Sequence, residues 1–600
     1  MDRDKFTEVA VETGERRKEE VFVEWLLDNG AQFSECVELR AYDDEVRGVH
    51  ATRDIGEDEV VIQVPLKCLV TVEMGKETAP GRAVLDAELD LDAPKHVFLM
   101  LFLLVDRKDP ASFFSPYYDM LPATLSNMPV FWNQEELNAL QGSPLLAQID
   151  ERRKAIKADY AAICGAWAPF AGLATLEEFM WARMCGFPLF RPLFRPLFPT
   201  HNLGPLTKVP YADMLNHYRP RETKWAFDNA RRAFTITALQ GIGSGAQIYD
   251  SYGQKCNHRF LLNYGFSVER NVEPDGFCPN EVVLTMGPWG RILGSRFWSQ
   301  PSRLDGKANM RRSLGHDIGT VLGDWPWALY AAVPLHGRSF LRSIRRPRSL
   351  RPEETDPCLP PRLLEKGTGA DPTDMWRLRL ALRDDDSLAA RKRLLWLRDG
   401  NSTAEKRLRI CAADNEAWRA ALSLLRVLVA DEEDLEHVLG QNPYGSYRTA
   451  SDVHFPVSLR NECDALEALQ GLCAGMLKRY ATTLEEDAEV LASSALPAFS
   501  NLRHAKIHVH AEKMVIHHYL DLSRTALEMA ALPNALGVHL WQGLEEGLEH
   551  RARLCLCRRP RPRGGHGKAK EPPSGSTEAY RGQQTLWRGP VSRAPVSTVH

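Results

Sequence analysis

Two β-rich segments stand far apart in this chain with helix-patterned sequence between them, and that spacing restricts the fold more than any other feature. The first, "RGVHATRDIGEDEVVIQVP" (residues 47–65), holds a β-branched run bounded by an acidic turn and a proline, and predicts a pair of strands. In the second, "RRAFTITAL" (231–239), Phe234 and Ile236 alternate with threonines; a glycine turn, "QGIGSGAQ", then leads into "IYDSYG". Between them, from about residue 72 to 184, "HVFLMLFLLVDR", "NQEELNALQG" and "LEEFMWARMC" read as helices. The segments can share a β domain only if those helices are looped out. An α+β class follows, with a compact β core whose sequence is split. Upstream, "VFVEWLLDNGAQ" predicts a short amphipathic helix with Gly30 at its C-terminal cap.

Beyond the second segment the pattern changes. Residues 287–370 are rich in Arg, Trp, Pro and Gly and read as a solvated basic insertion, since no periodic basic face emerges to support a nucleic-acid arm. From 371 to about 540 the chain is helix-patterned, with Leu466, Leu469, Leu472 and Met476 forming one core stripe. Residues 541–600 form a Pro/Gly/basic tail expected to be disordered, and 1–20 a polar leader. With 600 residues, two or three domains are expected. A net charge of −4 implies no overall attraction to nucleic acid or an anionic membrane. The longest apolar run, "VFLMLFLLV", falls well short of the ~20 residues a spanning helix needs. Twelve cysteines without a CxxC pair, behind a start with no apolar leader, suggest reduced thiols and a cytoplasmic or nuclear location.

Several chemistries lose support. Cys256 and His258 flank Asn257 but lack two further metal ligands at suitable spacing, and His504 with His508 is a lone helical pair, so no metal site is expected. "GIGSG" (241–245) joins two strand-like segments, so a hairpin turn is expected in place of a phosphate cradle. What remains is a constellation: "VPYADMLNHY" (209–218), then "YDSYG", then "NYGF". Asn216 supplies an amide, His217 an imidazole, Tyr252 a phenol and Phe266 a flat apolar face. These suit a ligand with an adenine ring, an amino-acid head and a cationic centre.

These segments, with "SPYYDMLPATL", "FWNQEELNALQGS" and "FMWARMC", occur in the order found in SET-domain protein methyltransferases. The chain resembles the branch that holds the RuBisCO large-subunit methyltransferases and the actin-histidine methyltransferase, over about residues 22–286 and, more weakly, over the helical part from 371 to about 530. The resemblance implies a β-rich SET core (21–286) split by a helical insertion at about 72–205, then an all-helical substrate-binding domain. It implies S-adenosyl-L-methionine as cofactor and N-methylation of a protein side chain. Tyr252 matches the catalytic tyrosine. Asp213, Met214, Leu215, Asn216 and His217 match the segment that holds the cofactor, and Tyr264, Gly265 and Phe266 its adenine-side wall. Gly48, Val49 and His50 match the first cofactor loop. The arginine that contacts the cofactor carboxylate falls in the tandem "PLFRPLFRPLFP" (188–199), where Leu189 aligns without gaps and Arg191 after a two-residue slip. Ala212, before "DM", is the residue of lysine-directed members, so lysine is the expected acceptor. Histidine methylation, or a SET-type binding module with weak catalysis, are the alternatives. A monomer that docks its protein substrate on the helical domain is expected, without nucleic acid or membrane.

Overall fold

Both β-rich segments come together, but in two sheets. The structure, a computed structural model, describes residues 17–33, 36–41, 47–185, 207–286, 415–439, 449–454 and 456–531. It also describes short stretches at 387–388, 391–392, 395–396 and 406–412. Arg191 and the repeat around it, the 287–370 insertion and the 541–600 tail lie outside the described residues.

One sheet contains β1 (Gln32–Phe33), β4 (Val60–Pro65), β9 (Ala233–Ala238) and β8 (Thr223–Asp228), in the order β1-β4-β9-β8. The other contains β2 (Val37–Ala41), β3 (Arg47–Ala51), β10 (Gln247–Asp250) and β7 (Asn216–His217), in the order β2-β3-β10-β7. Two more short strands, β5 (Val70–Thr71) and β6 (Thr207–Lys208), pair across the mouth of the insertion. The expected strand pair within 47–65 therefore forms as two strands that never pair with each other. The turn between them docks on the "GIGSG" loop instead: Ile55 and Ile242 exchange backbone hydrogen bonds of 2.9 and 3.0 Å, and Ser244 N–H donates to the Asp54 carboxylate at 2.8 Å. That contact also corrects the hairpin expectation, because the glycine loop carries the chain from β9 in one sheet to β10 in the other.

The insertion is helical from Val72–Glu77 to Leu176–Cys185. Its helix Pro94–Asp106 is apolar nearly all round because it is buried nearly all round, from Val97 to Leu104. The first helix, Lys18–Asp28, ends in a Schellman motif: Ala31 N–H donates to Leu26 C=O, Gly30 N–H to Leu27 C=O, and Gly30 takes the left-handed φ of 85°.

A second core belongs to helices Asn415–Val429, Glu432–Leu439, Leu459–Leu477, Leu484–Ala492 and Asn501–Ala530. It contains Leu466, Leu469 and Met476, with Leu472 packed against it. Leu140, Leu145, Ile149, Leu261 and Leu262 of the preceding domain enter the same core. The one strand described here, β12 (Lys406–Cys411), runs antiparallel to β11 (Glu281–Met286) and ties the domains by backbone pairing.

Candidate active site

Tyr252 lies two residues beyond β10, and β7 positions its neighbours. β7 runs parallel to β10, with Asn216 opposite Tyr249 and His217 opposite Asp250. This register brings His217 Nδ1 to 3.0 Å from the Tyr252 backbone N–H, which donates to it. The Tyr252 hydroxyl donates to the Leu215 carbonyl at 2.9 Å. Its ring stacks on His217 (centroids 5.2 Å apart) and Tyr264 (4.8 Å). Phe260 completes the cluster, 4.9 Å from His217 and 5.1 Å from Phe266. Burial holds the Tyr252 phenol well above its ordinary pKa, with the Tyr264, Asp250 and Asp213 charges adding to it. Burial also pushes His217 down to about 3, helped by Arg219 and Lys255, so the ring is neutral and its Nδ1 is free to accept.

Tyr264, Gly265 and Phe266 follow from the helix Asn257–Tyr264, which ends at Gly265 with φ 75°. A Cβ there would stand 2.4 Å from the Asn127 side-chain nitrogen, so glycine is required for both backbone and space. Asn257 shapes the return: its amide donates to the Val268 carbonyl at 2.9 Å and its carbonyl accepts from the Val268 N–H at 2.8 Å. The Cys-Asn-His triplet thus works as a clamp through its middle member. Cys256 Sγ lies 3.5 Å from a Glu281 carboxylate oxygen, and His258 meets the His508 ring at 6.1 Å. Among the described residues there is no group of three or more potential metal ligands.

Behind Asn216 lies a buried polar knot. Tyr117 O–H donates to Asp213 at 2.5 Å, Arg47 donates to the Met120 carbonyl at 2.6 Å, and Lys208 to the Cys185 carbonyl at 2.5 Å. Burial raises Asp213 above the ordinary carboxylate range, while Lys208, Tyr117 and Arg47 oppose the rise. Met214 and Leu215 are buried in the core. The Asn216 amide donates one N–H to the Arg47 carbonyl at 2.9 Å, leaving its oxygen and its second N–H to offer a ligand.

Gly48, Val49 and His50 lie within β3, not in a loop, because β2 and β10 pair on either side of them. Val49 is buried in the core and His50 Nδ1 is 3.1 Å from the Gly245 carbonyl. Arg47, which sequence reasoning passed over, is the β3 residue whose backbone meets Asn216. Tyr117, Asn127, Asn257 and Arg219 were also missed. Arg219 directly follows the Asn-His-Tyr run, and that position was its only signal. It is buried, donates to Asn271 at 2.6 Å and to the Gly253 carbonyl at 3.1 Å, and lies over Phe260. It thereby ties down the loop after Tyr252.

Residues 383–516 match the Rubisco LSMT substrate-binding family model. Curated relatives are actin-histidine N-methyltransferases: that of Xenopus tropicalis is 28% identical over 260 residues, 42% of this chain and 43% of that protein. That of Callithrix jacchus is 23% identical over 498 residues, 81% of this chain and 65% of that protein. The chain thus spans about two thirds or less of the length of these relatives. Among solved structures, Rubisco LSMT bound to sinefungin and monomethyllysine superposes with a TM-score of 0.57 at 19% identity, covering 88% of this chain and 96% of that one. The SET domain of LSMT bound to lysine and AdoHcy gives 0.57 at 18%, covering 86% and 94%. The chain has the SET-domain fold of the LSMT structures, followed by a helical domain that matches their substrate-binding family.

Proposed function

We propose that the chain transfers a methyl group from S-adenosylmethionine to a side-chain nitrogen of a protein, with histidine as the acceptor. The observation that carries this reading is the 2.9 Å hydrogen bond from Tyr252 to the Leu215 carbonyl. It fixes the phenol against the backbone of the segment 213–217 that the relatives would use for the cofactor. The Leu215 carbonyl accepts the phenol's O–H, so the phenol oxygen's lone pairs remain for the acceptor N–H or the polarised methyl hydrogens. The Asn216 oxygen and the faces of Tyr264 and Phe266 fit an amino-acid head and an adenine ring. When bound, the cofactor supplies an electrophilic methyl on a sulfonium. The protein aligns nucleophile and methyl, an effect worth on the order of 7–11 kcal/mol of barrier in well-oriented reactions.

The choice of acceptor rests on proton chemistry and on the relatives' names. Tyr252 stays protonated, so it does not deprotonate an ammonium. An imidazole, with an ordinary pKa of about 6.5, arrives neutral at pH 7; a lysine, at about 10.4, must first lose a proton. The curated relatives are named for histidine methylation of actin. Together these outweigh the lysine expectation drawn from Ala212. The protein substrate is expected to rest on the helical domain that contains 383–516.

The test uses the purified full chain with isotope-labelled cofactor and a cell extract, read by mass spectrometry for N-methylhistidine and methyllysine. Tyr252→Phe should lower methyl transfer by about 10²-fold or more, as loss of a transition-state hydrogen bond does. AdoHcy affinity, read by calorimetry, should change little. Wild-type transfer in the variant would refute the role of Tyr252, and methyllysine alone would refute the acceptor. Absence of AdoHcy binding by the wild type would refute the cofactor and favour a docking module.

A further inference from the structure

A cavity of about 350 Å³ opens beside the Tyr252 loop, where the two domains meet. Gln254, Lys255, Cys256 and Arg259 line one wall, and Phe277, Pro279, Glu281 and Cys411 the other. The second wall includes the first residue of β11 and the last of β12, so the strand pair that joins the domains builds half of the site.

Its charges are unbalanced. Lys255 and Arg259 face one carboxylate, Glu281, which is already engaged by Arg409 at 2.9 Å. Arg259 reaches Glu281 only at 3.8 Å and keeps a half-exposed side chain. Lys255 donates to the Tyr252 backbone carbonyl and forms no ion pair among the described residues. Burial lowers the Lys255 pKa first, and the positive charges of Arg259 and Arg219 lower it further, with Asp250 opposing. The cleft with its Arg409 rim thus holds three cations against one anion. A carboxylate entering it would meet unspent hydrogen-bond donors from Lys255 and Arg259.

We propose that this cleft binds an acidic stretch of the protein substrate, with Asp or Glu a few residues from the methyl acceptor. The inference rests on the reading of Tyr252 as the methyl-transfer residue and adds the substrate's chemical class. Chain geometry sets the spacing. Lys255 is three residues from Tyr252, a separation of at most ~11 Å between Cα atoms, which an extended peptide covers in about three residues. A peptide with its acceptor at Tyr252 can therefore bring a carboxylate to Lys255.

The experiment measures fluorescence anisotropy of two dye-labelled peptides on the AdoHcy-saturated full chain. One is Gly-Asp-Glu-Asp-Gly-Gly-His-Gly; the other replaces the acids with Asn-Gln-Asn. The acidic peptide should bind tighter by about tenfold or more, and more weakly as salt rises. Lys255→Gln with Arg259→Gln should abolish that preference while AdoHcy affinity by calorimetry stays unchanged. Should the double variant not fold, Arg259→Gln alone, on a half-exposed side chain, should reduce the preference severalfold. Equal binding of the two peptides, no binding of either, or an undiminished preference in the variant would overturn the proposal. So would tighter binding of a labelled oligouridine, which would make the cleft a nucleic-acid site. AdoHcy binding is measured separately, so failure of the cleft and failure of the cofactor reading are distinguishable.

Discussion

Tyr117→Phe tests the polar knot at Asp213 without disturbing its packing. Phenylalanine keeps the ring that packs 6.1 Å from Phe22 and from Tyr118 and under the Lys208 ammonium. It deletes only the hydroxyl that donates to Asp213 at 2.5 Å. The other Asp213 oxygen has no hydrogen-bond partner among the described residues, so the variant leaves a buried carboxylate offset only by the charges of Lys208 and Arg47. A hydrogen bond to a charged group contributes roughly 1.5–3 kcal/mol, and the expected loss of stability at pH 7 is therefore about 2 kcal/mol. For a domain of this size that lowers Tm by about 4–8 °C. The pH dependence carries more information. Burial raises the folded-state pKa of Asp213, and its bond from Tyr117 opposes that rise. A raised carboxylate penalises the folded state fully above its folded pKa, and the penalty is relieved as pH falls toward the unfolded value. The variant removes a group that favours the charged form, so its pKa goes higher still and its deficit should shrink as pH falls toward the ordinary carboxylate range. Scanning calorimetry over a pH series from neutral down to that range measures this. A deficit that stays constant across the whole series, or one that grows on acidification, would refute the assignment of Asp213 as a buried charged acceptor.

Three further outcomes are expected. Gly265→Ala places a Cβ at φ 75° against Asn127, and the left-handed backbone alone costs about 1–2 kcal/mol; AdoHcy affinity by calorimetry should fall because Tyr264 and Phe266 flank the site. Asn257→Leu strands the buried N–H and C=O of Val268, each worth about 1–3 kcal/mol, and should lower the urea midpoint, whereas Cys256→Ser should change it far less. Glu462→Gln breaks the buried pair in which Arg426 donates at 2.6 and 2.8 Å, and should destabilise the helical domain by about 3–5 kcal/mol in urea unfolding.

Sequence pattern exposed the elements better than their pairing. Residues 47–65 do form two strands, yet one partner of each stands nearly two hundred residues away, in β10 and β9, and nothing within the segment encodes that. The glycine loop looked like a hairpin because its flanks are strands; only the long-range exchange between Ile55 and Ile242 shows that it joins two sheets. At the site, Tyr252, His217, Tyr264 and Phe266 were visible because aromatic and imidazole groups cluster in two short motifs. Tyr117 and Arg47 were not, since a residue that acts by bonding Asp213 or offering a backbone carbonyl looks like any other core position. Gly48, Val49 and His50 were matched as a loop, and their place within β3 was hidden because pairing with β2 and β10 is not encoded in the motif itself.

The helical domain bears on the chemistry through the short helix that ends in Tyr264. One face of that helix supplies Phe260 to the aromatic cluster, while Leu261 and Leu262 enter the second core. Just beyond it, Ser267 N–H donates to His504 at 3.2 Å, and Glu269 pairs with Arg503 at 3.1 Å, both on the long helix Asn501–Ala530. Burial pushes His504 down to about 4, so its ring is a neutral acceptor throughout the physiological range. The wall of Tyr264, Gly265 and Phe266 is therefore held from within by Asn257 and from outside by the domain that matches a substrate-binding family. The backbone that follows Phe266 is thus anchored directly to the long helix, by one hydrogen bond at Ser267 and one ion pair at Glu269.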